Sequence, residues 1–220
     1  MKKSFAFFTL LFSVSALFAG KGLIVTQNYT TATAGQHITV TWYVTDSRCK
    51  MKMLYSDKDV NTTTFFIPEL SSGKLLSYSD APVPANSAKA YFALPVQNIK
   101  SRIGVTLSVE KTGEVKTVAG VKCEKVVAKT AENITEMWVT AEGGTACTKF
   151  APYFKSSYEF AALAQGSIAG FPVESVTKDA SGTVISTYSA VSVSATEISD
   201  AEFAVPADYK RAEELAKSKK

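Results

Sequence analysis

Apolar and polar residues alternate with period two along most of this chain. Ile38, Val40, Trp42 and Val44 fall on one face, with His37, Thr39, Thr41, Tyr43 and Thr45 on the other. After a turn at Asp46–Ser47 the apolar face resumes with Cys49, Met51, Met53 and Tyr55, while Arg48, Lys50 and Lys52 point away. This pattern predicts half-buried antiparallel strands joined as a hairpin. Similar runs at Leu23–Tyr29, Thr62–Ile67, Ala90–Leu94, Ile103–Val109, Phe171–Thr177 and Val184–Val193 extend the β reading. A further run, Leu70–Tyr78, is interrupted by Ser71–Gly73.

The centre of the pattern is Thr117–Cys147. Gly120 makes a turn, Val121–Thr130 reads as a strand, and Ile134–Ala141 as its return partner carrying Trp138. Gly113 reads as the turn into this stretch, and the proline-bearing Ser79–Ser87 as a loop. Only Pro152–Gln165 breaks the β rhythm at length. Proline at its first turn, Gly166 at its end and Phe154, Tyr158, Ala161 and Ala162 on one side predict a helix lying on the sheet. Asp208–Lys217 reads as a terminal helix or frayed tail. The expected architecture is mainly β (α+β): about ten strands in an antiparallel sheet, with one or two helices against it.

The N-terminus changes the compartment rather than the fold. Lys2 and Lys3 precede an apolar run from Phe5 to Phe18, and Ala19–Gly20 offers a cleavage point. That run is short for a membrane span and reads as a secretory signal peptide over residues 1–19. No cysteine follows it, so no lipid attachment or permanent membrane anchor is expected. A single domain then covers 20–210, followed by a basic tail at 211–220 with Lys217, Lys219 and Lys220. Loss of Lys2 and Lys3 lowers the formal charge from +4 to +2, too little to expect nucleic acid as a partner.

Chemical motifs are sparse. His37 is the one histidine, so any histidine-dependent triad would have to use it. Gly166–Ser167–Ile168–Ala169–Gly170 lacks the spacing of a nucleophile elbow. Neither the histidine nor the cysteines are spaced as a zinc site. Asp57, Asp59 and Asn61 imitate the start of a calcium loop, but Thr62 and Pro68 occupy the positions that need glycine and glutamate. The expectation is no metal, no cofactor and no enzyme, with carboxylate-only catalysis the one route left open.

Two features remain. Trp42, Met51, Met53, Trp138 and Phe160 are large, adaptable side chains that would either line a pocket for an apolar ligand or fill an ordinary core. Three cysteines in an exported chain allow one disulfide. Cys123 and Cys147 bracket the central hairpin and form the expected pair, with Cys49 as the competitor.

Ala119–Cys123 followed by Trp138–Thr140, then Gly170–Phe171–Pro172–Val173 and Phe203–Lys210, resembles an uncharacterised exported β-rich family of Gram-negative bacteria. The resemblance implies a fold like that of the LolA/LolB lipoprotein carriers. Such a fold is a strongly curved antiparallel sheet, an incomplete barrel, with helices on its concave side. It also implies a periplasmic protein that binds a lipid or other apolar molecule in that half-barrel. The alternative is an envelope structural or protein-interaction module with a filled core.

Overall fold

A computed structural model describes residues 19–32, 34–57, 60–81, 88–100 and 106–217. Residues 1–18 of the expected signal peptide, 58–59 of the calcium-loop look-alike, 82–87 of the proline loop and 101–105 lie outside them.

Two antiparallel meanders build one sheet. The first runs through β1 (Ala19–Thr31), β2 (Ala34–Thr45), β3 (Cys49–Asp57), β4 (Val60–Glu69), β5 (Lys74–Ser79) and β6 (Lys89–Pro95). The second runs through β7 (Thr106–Val118), β8 (Val121–Thr130), β9 (Asn133–Thr140), β10 (Phe171–Asp179) and β11 (Val184–Ser199). The meanders meet where β11 pairs antiparallel with β1. A three-residue strand, β12 (Tyr209–Arg211), adds parallel to β6. The sheet order is β12-β6-β5-β4-β3-β2-β1-β11-β10-β9-β8-β7, open between β12 and β7.

Between β9 and β10 the chain forms α1 (Ala146–Phe150), a 3-10 turn at Ala151–Tyr153, and α2 (Tyr158–Gln165). α2 touches β7, while its Phe160 stacks on Trp42 of β2. Those two strands are six steps apart, roughly 29 Å on a flat sheet at ~4.8 Å per step. An eight-residue helix reaches both only if the sheet curves around it, so the helices sit on the concave side of an open half-barrel.

The period-two pattern explains which side chains face inward. Val25, Trp42, Met51 and Phe66 form one cross-strand row over β1–β4, and Val126, Met137 and Ser175 another over β8–β10. Their burial against α1 and α2 forms the main core. A smaller apolar cluster of Ile67, Tyr78 and Tyr209 occupies the outer face. After β11 the chain crosses that face as a strap. Glu202 pairs with buried Lys50 at 2.9 Å, Asp208 with Lys89 at 2.8 Å, and the Tyr209 hydroxyl donates to the Ser79 carbonyl. The C-terminal α3 (Ala212–Lys217) follows.

Three local expectations shift. The Pro152–Gln165 helix is broken: Phe154 leaves helical geometry at φ −115°, ψ 48°, and α2 starts only after Ser157, whose hydroxyl accepts from the Phe160 amide at 3.2 Å. A serine side chain there satisfies an amide that would otherwise lack a partner, which places the helix start six residues after Pro152. Leu70–Tyr78 divides into the end of a turn and β5, with Gly73 at φ +63°. Gly113 is not a turn between strands; it sits at φ +79° in a bulge of β7 between Lys111 and Val115.

Candidate functional site on the concave face

Four aromatic rings fill the space between the helices and the sheet. Trp42 stacks on Phe160 with centroids 5.0 Å apart, and Phe154 and Phe171 meet it edge-on at 5.1 and 5.7 Å. The indole needs a hydrogen-bond acceptor when buried. Its Nε1–H donates to Oε1 of Gln27 at 3.2 Å, and Nε2 of Gln27 donates to the Pro172 and Val173 carbonyls at 3.0 and 2.9 Å. The cavity left beside these rings measures about 10 Å³, the room of one water.

Glu159 lines that cavity. It stands in the first turn of α2 and is only 5% exposed. Its carboxylate accepts from the Ser157 hydroxyl at 2.9 Å and from the Ser175 hydroxyl at 2.5 Å. Among the described residues no cation comes within ion-pair distance of it. Beyond Ser175 the same cross-strand row continues through Tyr188, Tyr29, Ile38 and Tyr55. The Tyr29 and Tyr188 rings lie 4.5 Å apart. Burial, and then the charge of Glu159, hold both of these phenols above their ordinary range, well above it for Tyr188. Tyr158 approaches from α2, its hydroxyl accepting from Asn133 Nδ2 at 3.3 Å. The result is a buried carboxylate beside a belt of tyrosines. Sequence reasoning overlooked it. Ser157-Tyr158-Glu159 ahead of Phe160 carries the mark of a capped helix start, but the tyrosines come from strands distant in sequence.

Of the five residues expected to line a pocket, the structure brings Trp42 and Phe160 together at this site. Met53 is half-buried, and its sulfur accepts from the Tyr55 hydroxyl at 3.5 Å; Met51 packs against the core between Trp42 and Phe66. Trp138 belongs to the other face. It pairs with Lys125 and Glu174, and the Lys116 ammonium sits 4.4 Å from its ring centroid. The reason is parity: fully buried Met137 takes the inward position, so its neighbour must point outward.

The expected Cys123–Cys147 bridge is absent; all three cysteines are buried free thiols. Cys123 pairs in register with Lys116 and Thr140 on the β7–β9 sheet. Cys147 lies instead in α1, which leans over the β2–β3 turn, where Lys149 reaches the Asp46 carbonyl. Burial, with Cys49 nearby, holds the Cys147 thiol well above its ordinary range, and burial does the same for Cys49. Gly144 sets this course at φ +54° by sending the chain into α1 rather than back along β9. Under oxidising conditions the expected crosslink therefore joins Cys49 to Cys147 and leaves Cys123 alkylatable. Non-reducing peptide mapping checks this, and any bridge through Cys123 contradicts it.

Two wider clefts open at the rim. One of about 560 Å³ lies between β7–β9 and the segment after α2, with Val126, Val139 and Ile168 in its wall and the Lys111–Glu124 ion pair beside them. The other, about 490 Å³, is bounded by Lys21, Asp46, Glu142 and Glu197. Among the described residues no group of three or more His, Cys, Asp and Glu side chains is placed to hold a metal ion, and no helix is long and apolar enough to cross a membrane.

Fold and site together define a half-barrel β protein with helices packed on its concave side. The chain belongs to the family described as a domain of unknown function, DUF4412, whose model matches residues 22–209. No curated protein matches the sequence. Among solved structures, PNGF-II is similar at 14% identity and a TM-score of 0.42, over 90% of this chain and 33% of that one. The chain thus spans about a third of PNGF-II. MucB is similar at 9% identity and a TM-score of 0.45, over 86% of this chain and 58% of MucB. An uncharacterized conserved protein from Thermus thermophilus is similar at 11% identity and a TM-score of 0.49, over 87% of this chain and 90% of that one.

Proposed function

We propose that this chain is an exported, non-catalytic binding module of the cell envelope that works through surface contacts and does not enclose a lipid chain. The filled aromatic core carries this reading. A carrier of the kind the resemblance implies needs a cavity between sheet and helix, and the space under α2 holds Trp42, Phe154, Phe160 and Phe171 instead. Export rests on the leader, from Lys2 to Gly20. Non-catalysis rests on the scarcity of activatable groups: one histidine in the chain, and thiols whose burial disfavours the reactive thiolate.

The sheet edge is a poor docking strand. β7 carries Glu110, Lys111, Glu114 and Lys116 and a bulge, features that discourage strand addition. Recognition accordingly falls to the concave site and the rim clefts. Lipid extraction and mass spectrometry of the mature protein purified from its own envelope test the proposal. No lipid at a molar ratio near one is expected; a stoichiometric lipid would overturn it. The 560 Å³ cleft supports a second reading, because its volume falls within the usual range of small-molecule sites and its wall is partly apolar. Under that reading a photoactivatable lipid labels Val139 or Ile168.

A further inference from the structure

We propose that the cavity over Glu159 receives a primary alkylammonium group, supplied by a free amine or by a lysine side chain of a partner protein. This deepens the reading of the chain as a binding module and rests on it.

Charge is the first argument. Glu159 sits in the first turn of α2, 5% exposed, and the only side-chain partners its carboxyl group has among the described residues are the Ser157 and Ser175 hydroxyls. A buried carboxylate without a cation is costly, and hydroxyl donors offset only part of that cost. A bound cation removes the imbalance.

The second argument is the balance of donors and acceptors in the wall. The amide nitrogen of Gln27 is engaged by two backbone carbonyls, the Trp42 Nε1–H by Gln27, and the Ser157 and Ser175 hydroxyls by Glu159. An arriving group therefore meets oxygen acceptors and the rings of Trp42, Phe160 and Tyr188, and few uncommitted donors. That wall suits a hydrogen-bond donor carrying positive charge, with ring faces adding cation–π attraction. An anion would find neither donors nor favourable charge.

Size is the third argument. A cavity of about 10 Å³ holds one water, and a primary ammonium head is about as large. A trimethylammonium head is not admitted. The mouth lies at Ser157 and Tyr188, the two wall residues that are partly exposed, so an alkyl stem leaves past the tyrosine belt.

The test uses the mature protein in a Trp138→Phe background, which leaves Trp42 as the single indole. The NMR signal of its Nε1–H reports on the cavity through Gln27. Butylammonium and Nα-acetyl-lysine amide should each move that signal saturably, while butanol and butyltrimethylammonium leave it in place. Glu159→Gln should weaken the response at least about tenfold, the expected loss for a charge-assisted hydrogen bond. Glu159→Asp, which keeps a carboxylate but draws it back by one methylene, should also weaken the response and is the variant read if Glu159→Gln fails to fold. A lysine-bearing peptide with a blocked N-terminus that binds at least tenfold more tightly than butylammonium assigns the site to a protein partner; equal affinities assign it to free amines. An equal shift with butanol or the quaternary amine, unchanged binding in Glu159→Gln, or no saturable shift overturns the proposal. None of these outcomes bears on bound lipid, so the wider reading is tested separately by the lipid experiment.

Discussion

Replacing Trp42 with alanine lowers the unfolding free energy by about 3–5 kcal/mol, the range for deleting a large buried aromatic. The size of the loss follows from position. Trp42 is 4% exposed and meets the rings of Phe154, Phe160 and Phe171, so its removal leaves a hole that these three rings cannot collapse into without leaving their own contacts. It also strips Gln27 Oε1, buried in the same place, of its donor. For a chain of this length the midpoint should fall by roughly 10 °C. Trp138→Ala is the matched comparison. It removes the same side chain from the outer face, where the loss is a partly buried ring and a cation–π contact with Lys116, about 1 kcal/mol. Urea unfolding followed by circular dichroism separates the two. Equal losses for the two tryptophans would show that the inward face has been assigned wrongly.

That pair also shows how far the sequence could be read. Alternation from Ile38 to Met53 was legible because polar residues or Tyr43 occupy the alternate positions on either side of the Asp46–Ser47 turn, so the inward face of β2 and β3 declared itself. Around Trp138 the rule gives no answer. Met137, Trp138 and Val139 are consecutive apolar residues, and either parity would have been acceptable until the pairing of Met137 with Val126 and Ser175 fixed it. The alternating runs foreshadowed an antiparallel sheet with a helix against it, whereas the half-barrel curvature was implied only by the resemblance to the lipoprotein carriers. The closing pair β1–β11 joins segments more than 150 residues apart, and no local pattern encodes it. The same holds for the site. Ser157 and Glu159 lie close in sequence and could have been read as a helix start, whereas Ser175, Tyr188 and Tyr29 reach them only through the sheet. The cysteines were misread for a related reason: their spacing describes the β8–β9 hairpin but not the path of α1, which takes Cys147 over the β2–β3 turn.

Gly170→Ala should cost about 3 kcal/mol or more and loosen α1 from the sheet. Two penalties act at one residue. Its φ of +131° belongs to a region that L side chains rarely adopt, a strain of order 1–3 kcal/mol. A β-carbon there would also stand 2.5 Å from the Thr140 carbonyl oxygen and 2.6 Å from a methyl of Val139, and the carbonyl cannot move without disturbing the end of β9. The strand pairing leaves no slack, because Thr140 is bonded in register to Phe171, the next residue along. The Gly170 amide donates to the Gly144 carbonyl at 2.6 Å, and Gly143 packs against Phe171 so closely that its own β-carbon would fall 2.4 Å from that residue's Cβ. Any shift at Gly170 is therefore passed to Gly143–Gly144, which lead into α1 and its buried Cys147. Gly182→Ala isolates the conformational part: φ is +86°, and nothing lies within 4 Å of the added carbon. Its loss should stay within the strain range alone. Thermal unfolding of both variants, with the rate of thiol labelling at Cys147 as a second readout, tests the argument. Gly170→Ala should unfold at the lower temperature and expose Cys147 faster; similar behaviour of the two variants would mean that the approach to Thr140 is not the constraint that keeps residue 170 a glycine.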